Sequence, residues 1–263
     1  MTKDYTVPAV YRAIQVLELL SSSRDGVSLA QLSLQTKIPK STLFRILVTL
    51  QQHSLVVEDA ERHLFTLGIK LLDWGGAALE RLDIKTIAHP HMVKLAHATK
   101  ESLYLAVLEH DEVILIDRVD TPEIWKIVTR LGYRSPIHCT ASGQVIAAYQ
   151  GEQYWNGILS DYQFTKFTAT TITTAARLKK KFREIVKAGH AIADGEFKPD
   201  LFAVAVPIWD HSGKVNASLM LALHSDRAHK NKKHIDSLLA SLKEEAMLIS
   251  QRIGYVEGSN NRE

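Results

Sequence analysis

The sequence predicts an α+β chain in two parts: three helices closed by a small hairpin, then an antiparallel sheet surrounded by helices. Three observations predict it. Helical periodicity gives way to two short β-type runs within residues 1–67. A single helix too long for a loop follows over residues 68–82. Beyond it, apolar strands joined by short polar turns alternate with amphipathic helices.

Val10, Ile14, Leu17 and Leu20 recur at helical spacing, which predicts a first helix over about Pro8 to Ser22. Arg24, Asp25 and Gly26 form a turn. Ser28 followed three residues later by Gln31 is a capping-box pattern, in which each side chain satisfies a free backbone amide. A second helix opens there and runs through Leu29, Leu32 and Leu34. Lys37-Ile38-Pro39 ends it, because proline has no amide hydrogen to continue the ladder. A third helix is expected from Lys40 to His53, burying Leu43, Ile46, Leu47 and Leu50. Leu55–Val57 and His63–Thr66 then read as strands around the polar turn Glu58 to Arg62. Helix, turn, helix and hairpin together make a winged helix-turn-helix. Ile69 to Leu82, carrying Leu71, Leu72, Ala78 and Leu79, is the linker helix.

The second domain is expected over residues 83–255. It begins with a helix from Ile84 to Thr99 and strands over Leu103–Leu108 and Val113–Val119, joined at His110-Asp111. Trp125–Leu131 reads as another strand, Gly143–Tyr149 as a helix, and Thr174–Ala188 as a charged amphipathic helix. Ala203–Trp209 and Val215–Leu223 form a hairpin around His211-Ser212-Gly213. A last helix sets Ile235, Leu238, Leu242, Met247, Ile249 and Ile253 mostly on one face. Residues 256–263 are a polar tail, expected to fray.

Composition narrows the function classes. The 263 residues suffice for two modest cores, and a net charge of +3 does not by itself imply nucleic acid. The lone Cys139 excludes an internal disulfide framework and a multi-cysteine zinc site. No apolar run is long enough to span a bilayer, so a cytoplasmic protein without membrane contact is expected.

The charge distribution is more telling than the total. From Gly26 to Val57 there is no acidic residue, while Lys37 lies just before the third helix and Lys40 and Arg45 within its first turns. A surface that must approach a polyanion gains from lacking carboxylates. Lys40, Ser41 and Thr42 occupy that helix's first turn, where unpaired amides and the helix dipole favour phosphate. Arg45, one turn on, has the fork that pairs with guanine or phosphate. Arg62 and His63 stand at the hairpin tip, within reach of an adjacent groove or backbone. A small helical bundle with a merely solvated basic face is the plainer reading; the missing acids, the hairpin and the long helix favour duplex DNA.

At these residues the chain resembles a known family, the IclR-type transcriptional regulators. The run VSLAQLSLQTKIPKSTLFRILVTLQQHSLVVEDAERHLFTLGIKLLDWG is similar to that family's N-terminal domain. PIHCTASGQVIAAY and GHAIADGEFKPDLFAVAVPIWDHSGKVNASLMLAL carry the marks of its second domain, in the same order. The resemblance covers about Val7 to Tyr255. It implies a C-terminal effector-binding domain of GAF-like fold and no cofactor. It also implies operators bound by homodimers or dimers of dimers, with repression more usual than activation.

Family DNA contacts fall on Lys40, Ser41, Thr42, Phe44 and Arg45, with Arg62 on the wing. Phe44 stands where members often have histidine or tyrosine, so one base contact is expected to be apolar. The family's effector pocket maps to Thr140, Ala141 and Ser142, to Asp194 of the shortened acidic stretch, and to Leu201, Ala203, Met220 and Ala222 of the final hairpin. Ala203 replaces a frequent cysteine, and Met220 and Ala222 replace serines. Fewer hydroxyls are thereby offered to a ligand. Sugar acids and related carboxylates remain the expected effectors.

The rival class is a small-molecule enzyme whose N-terminal helices serve assembly. His138 and Cys139 are adjacent, and read as strand residues they face opposite ways. Ser142 lacks the glycine two residues before it that a nucleophile elbow needs, and reads as a helix cap or anion contact. His89 and His91 project to different sides of one helix and make a poor chelate, with His97 further along. The Lys179-Lys180-Lys181 run reads as a solvated face. No catalytic residue and no metal site is expected.

Overall fold

A computed structural model describes residues 6–23, 25–80, 83–120 and 129–256. The chain divides into two compact units, Met1–Arg81 and Leu82–Glu263.

The first unit runs α1 (Pro8–Ser22), β1 (Val27–Ser28), α2 (Leu29–Thr36), α3 (Lys40–Gln52), β2 (Val56–Asp59), β3 (Leu64–Leu67) and α4 (Lys70–Glu80). The capping box forms: Ser28 Oγ accepts from the Gln31 amide, and Gln31 Oε1 accepts from the Ser28 amide. The α2–α3 turn is made before the proline, because Lys37 adopts a left-handed conformation (φ 58°) as the C-cap, and Pro39 becomes the N-cap of α3. Ser33 Oγ ties the turn by donating to the Ile38 carbonyl at 2.8 Å. Val16, Leu20, Leu32, Leu43, Leu47 and Leu50 meet Val56 and Phe65 in one core.

Two expectations change here, and α1 shows which of its apolar residues are covered. Ile46 only packs at the core's edge. The buried face of α1 is Val16 and Leu20, leaving Val10 and Ile14 exposed with Val7 and Tyr11. The hairpin is also a three-stranded sheet, order β1-β3-β2, because Val27 and Ser28 pair with Phe65 and Leu64 before α2 begins. The last expected linker residue, Leu82, lies outside the described residues, as does the tail from Glu257.

The second unit holds a six-stranded antiparallel sheet, order β6-β5-β4-β9-β8-β7. Its elements are α5 (Asp83–Thr99), β4 (Ser102–Glu109), β5 (Glu112–Val119), β6 (Arg134–Pro136), α6 (Ala141–Ala148), α7 (Gly151–Ile158), α8 (Ala175–Ala188), β7 (Ala191–Asp194), β8 (Leu201–Trp209), β9 (Val215–His224), α9 (Ser225–Lys230) and α10 (Lys232–Arg252). Tyr104, Ala106, Ala203, Ala205 and Ala222 on one sheet face share a core with α6 and α8. Strand alternation turns Leu103, Leu105, Val204, Val206, Leu219 and Leu221 to the other face, along which α5 and α10 run.

The expected strand Trp125–Leu131 is not found where it can be seen. Residues 125–128 lie outside the described residues, and 129–131 are not strand. The chain instead turns at Gly132 (φ 76°), whose amide donates to the Leu115 carbonyl, and pairs with β5 only from Arg134 onward. Three short elements, α7, β7 and α9, have no counterpart among the expected ones. The β7 strand is three-quarters alanine and aspartate, neither of which favours strands.

Candidate functional site

Two faces of the molecule answer to the residues singled out by sequence, one on each unit.

On the first unit, Leu43, Leu47 and Leu50 anchor one side of α3 in the core. At 100° per residue, Ser41 and Arg45 then point directly outward, with Lys40 and Phe44 beside them. All four are exposed, and Thr42 is half-buried. Pro39 caps the helix through its carbonyl, which accepts from the amides of Thr42 and Leu43, so the Lys40 and Ser41 amides head a free helix start. Neither Lys40 nor Arg45 has an ion-pair partner among the described residues, leaving both charges available to an external anion. Val48 and Thr49 extend the same outward surface; the sequence reading passed over them because neither carries charge.

The hairpin behaves differently. Arg62 is three-quarters exposed but lies 4.0 Å from Asp59, and His63 is 3.5 Å from Glu58. Asp59 also accepts the amides of Glu61 and Arg62, shaping the turn. The wing tip is therefore of mixed charge, whereas the α3 face is wholly basic.

On the second unit, Thr140, not Ser142, caps α6: its hydroxyl donates to the Pro136 carbonyl and accepts from the Gly143 amide. Ser142 sits inside the first turn, buried, with no partner for its hydroxyl among the described residues. Gly143 is required here, since a Cβ would lie 2.6 Å from the Ile137 Cα. Ala203 lies directly opposite Ala222 across β8 and β9, and Met220 opposite Ala205. Ala141, Ala203 and Ala222 share one core, against which Leu201 and Met220 pack.

Asp194 stands apart from these, because its carboxylate pairs with His229 at 2.7 Å and meets Ser225 Oγ. The acid turned inward is Glu196. Its Oε2 takes Gln144 Nε2, its Oε1 lies 3.8 Å from Lys181 Nζ, and burial pushes its pKa up despite the lysine. Gln144 Oε1 is itself buried and has no partner among the described residues. Tyr104, opposite Met220 on the neighbouring strand, is buried, and burial pushes its hydroxyl up to about 12. Gln144 and Tyr104 escaped the sequence reading, although the alternation of β4 turns Tyr104 to the same face as Met220; of the acidic stretch Asp194-Gly195-Glu196 the expectation fell on Asp194, whereas Glu196 is the residue turned inward.

The enzyme-type candidates resolve into structural roles. His138 and Cys139 lie in a turn and not a strand, and both are fully buried. His138 Nε2 donates to the Thr165 carbonyl, so Nδ1 accepts from Tyr162 Oη, and burial lowers the ring's pKa. Burial pushes the Cys139 thiol up to about 12, far from a thiolate at neutral pH. His89 pairs with Asp117 and His91 with Glu245, on different sides of α5. No cluster of three metal-ligating side chains occurs among the described residues. The lysine run is not wholly solvated: Lys179 meets Asn156, Lys181 the Ile192 carbonyl, and only Lys180 is exposed. Among the described residues, no helix is long and apolar enough to cross a membrane.

Comparison with known proteins bears on both units. Residues 9–60 match the IclR helix-turn-helix domain, and residues 76–251 match the bacterial transcriptional regulator IclR C-terminal domain. The HTH-type transcriptional regulator XynR of Escherichia coli (strain K12) is 29% identical over 253 residues, covering 95% of this chain and 98% of that protein. The HTH-type transcriptional repressor AllR of the same organism is 26% identical over 219 residues, covering 83% and 81%. The crystal structure of an IclR transcriptional regulator from Alicyclobacillus acidocaldarius superposes with a TM-score of 0.82 at 26% identity, covering 95% of this chain and all of that one. With a DNA-reading unit and a companion domain both matched in order, the chain belongs to the IclR family of bacterial transcriptional regulators.

Proposed function

We propose that this regulator is a cytoplasmic repressor that binds a roughly palindromic operator as a homodimer, and that a small carboxylate, a sugar acid or a relative of one, changes its operator affinity. The observation that carries the DNA half is the outward face of α3, where Lys40 and Arg45 stand exposed and, among the described residues, unpaired with any carboxylate. In this reading residues 1–67 bind DNA, 68–82 link, 83–255 sense the effector and 256–263 form a tail. Lys40, Ser41 and Thr42 hold phosphate at the helix start, Phe44 and Arg45 meet base edges, and Arg62 steadies the wing.

Dimerisation is supported by apolar surface. Val10, Tyr11 and Ile14 form a stripe at helical spacing on α1 that its N-cap Val7 continues, exposed like Leu72 and Trp74 of α4 and Ile69 just before it. A second copy covering these residues would set two α3 helices about one turn of DNA apart, or a multiple of that.

The effector would lie against Thr140, Ala141, Ser142, Leu201, Ala203, Met220 and Ala222, with Asp194 at the margin. A carboxylate suits the start of α6, where Thr140 satisfies the Gly143 amide but the Ala141 and Ser142 amides precede the helical ladder, and where the buried Ser142 hydroxyl lacks a partner among the described residues. For coupling, the ligand must bind the operator-bound and free arrangements with different affinity.

The test is an operator-binding titration across a panel of sugar acids and their neutral amides, with calorimetry to verify ligand binding. At least one acid should bind and shift operator affinity about fivefold or more, while its amide does not. A ligand that binds at saturation and leaves operator affinity unchanged would sink the coupling.

A further inference from the structure

Phe44 is 58% exposed in the middle of α3, the one large apolar side chain of that helix left in water among the described residues. It makes no ring contact with any described residue. Val48, four residues on, stands half-buried on the same ridge. The adjoining ridge carries Ser41 and Arg45, so apolar and cationic groups lie side by side on one convex surface. A protein partner matched to this surface would have to supply carboxylates for Lys40 and Arg45. The major groove supplies phosphates and guanine acceptors for the cations, and one apolar feature, the C5-methyl of thymine.

Resting on the operator reading above, we infer that Phe44 and Val48 read thymine through its methyl group, beside a guanine read by Arg45. Thymine is the only base presenting such a group in the major groove, so apolar contact there discriminates. The phenyl ring offers neither donor nor acceptor, so its contribution is insensitive to salt, unlike the lysine and arginine contacts around it. Half-sites selected by this protein therefore contain a thymine next to a guanine contact. Removing one covered methyl costs about fourfold in affinity, the order expected for burying a single methyl.

The experiment begins with selection of binding sites from a random-core duplex library by the full chain. The selected duplex is then prepared with each thymine in turn replaced by uracil, which lacks only the methyl group. Wild type should lose about fourfold at one position per half-site, and Phe44→Ala should bind thymine and uracil duplexes equally. Because Phe44 is exposed, that variant is expected to fold, and Phe44→Leu, which keeps an apolar tip, should retain part of the discrimination. A selected site bound equally well with thymine or uracil overturns the inference while leaving the operator reading intact. So does a Phe44→Ala protein that discriminates like wild type, or one that loses only its dimeric state. Failure to select any sequence would overturn the operator reading and this inference together.

Discussion

The hydroxyl of Tyr162 lies 3.0 Å from Nδ1 of His138, and because Nε2 of the same ring faces the Thr165 carbonyl at 2.9 Å, the imidazole is held neutral in one tautomer. This buried ring sits between the β6 strand and the start of α6, packed edge-on against Tyr162 and Phe164. It pins the segment after α7 onto the rest of the second unit.

Tyr162→Phe leaves a buried acceptor without its donor and should destabilise the chain by about 1–3 kcal/mol in urea unfolding. Burial lowers the His138 pKa, so the folded state prefers the neutral ring. Its contribution is complete above the unfolded value near ~6.5 and is lost as pH falls below that toward the folded pKa. Nitrogen chemical shifts of His138 that report a charged ring at pH 6 would contradict this.

Two glutamates should titrate with opposite effect. Burial raises Glu245, but Lys94 and His91, each 2.6 Å away, outweigh it and hold the carboxyl below its ordinary value. That stability is present above the unfolded pKa and is lost as pH falls through the folded one. Glu245→Gln should cost about 1–3 kcal/mol at neutral pH and flatten the acid limb of the stability curve. Glu196 is raised by burial, so its folded form prefers the proton, and stability drains as pH rises from the unfolded pKa toward the folded one. Glu196→Gln should remove that slope while keeping a group for Gln144. A stability profile unchanged by either substitution would refute the assignment.

Gly68 closes the wing onto α3: its amide donates to the Leu55 carbonyl, and a Cβ would lie 2.1 Å from the Ser54 oxygen. Backbone must move to admit alanine, so Gly68→Ala should cost about 1–3 kcal/mol or more and weaken DNA binding without touching a base. Gly75→Ala meets open space and relieves a helix-interior glycine. It should be neutral or mildly stabilising, by about 0.5–1 kcal/mol. Equal melting temperatures for the two variants would contradict the geometry.

Salt dependence separates the basic side chains. Lys40→Ala should lower operator affinity evenly across sequences and reduce the salt slope by about one. Arg62→Ala should do less, because Asp59 partly neutralises that arginine. Filter binding at several salt concentrations reads both slopes, and an Arg62 effect as large as that of Lys40 would place the wing in direct phosphate contact.

Much of the first unit was legible because local rules and the global fold agree there. Ser28 and Gln31 cap α2 as their spacing implies, and Leu43, Leu47 and Leu50 fall in the core. The spacing of Val10, Ile14, Leu17 and Leu20 located α1 but not its buried face, because periodicity finds an apolar stripe without saying what covers it. In the second unit the long strands declared themselves, while β7 and α9 did not, being short and held by tertiary contacts. The inward acid was hidden for the same reason: Asp194 and Glu196 are two residues apart, and only packing decides which meets His229 and which meets Gln144.

Whether α3 reads a specific operator is decided by footprinting pooled genomic fragments with wild type and Arg45→Ala at physiological salt. Wild type should protect a roughly palindromic site that the variant no longer protects. No preferred site, or the same footprint from both proteins, would contradict the operator reading.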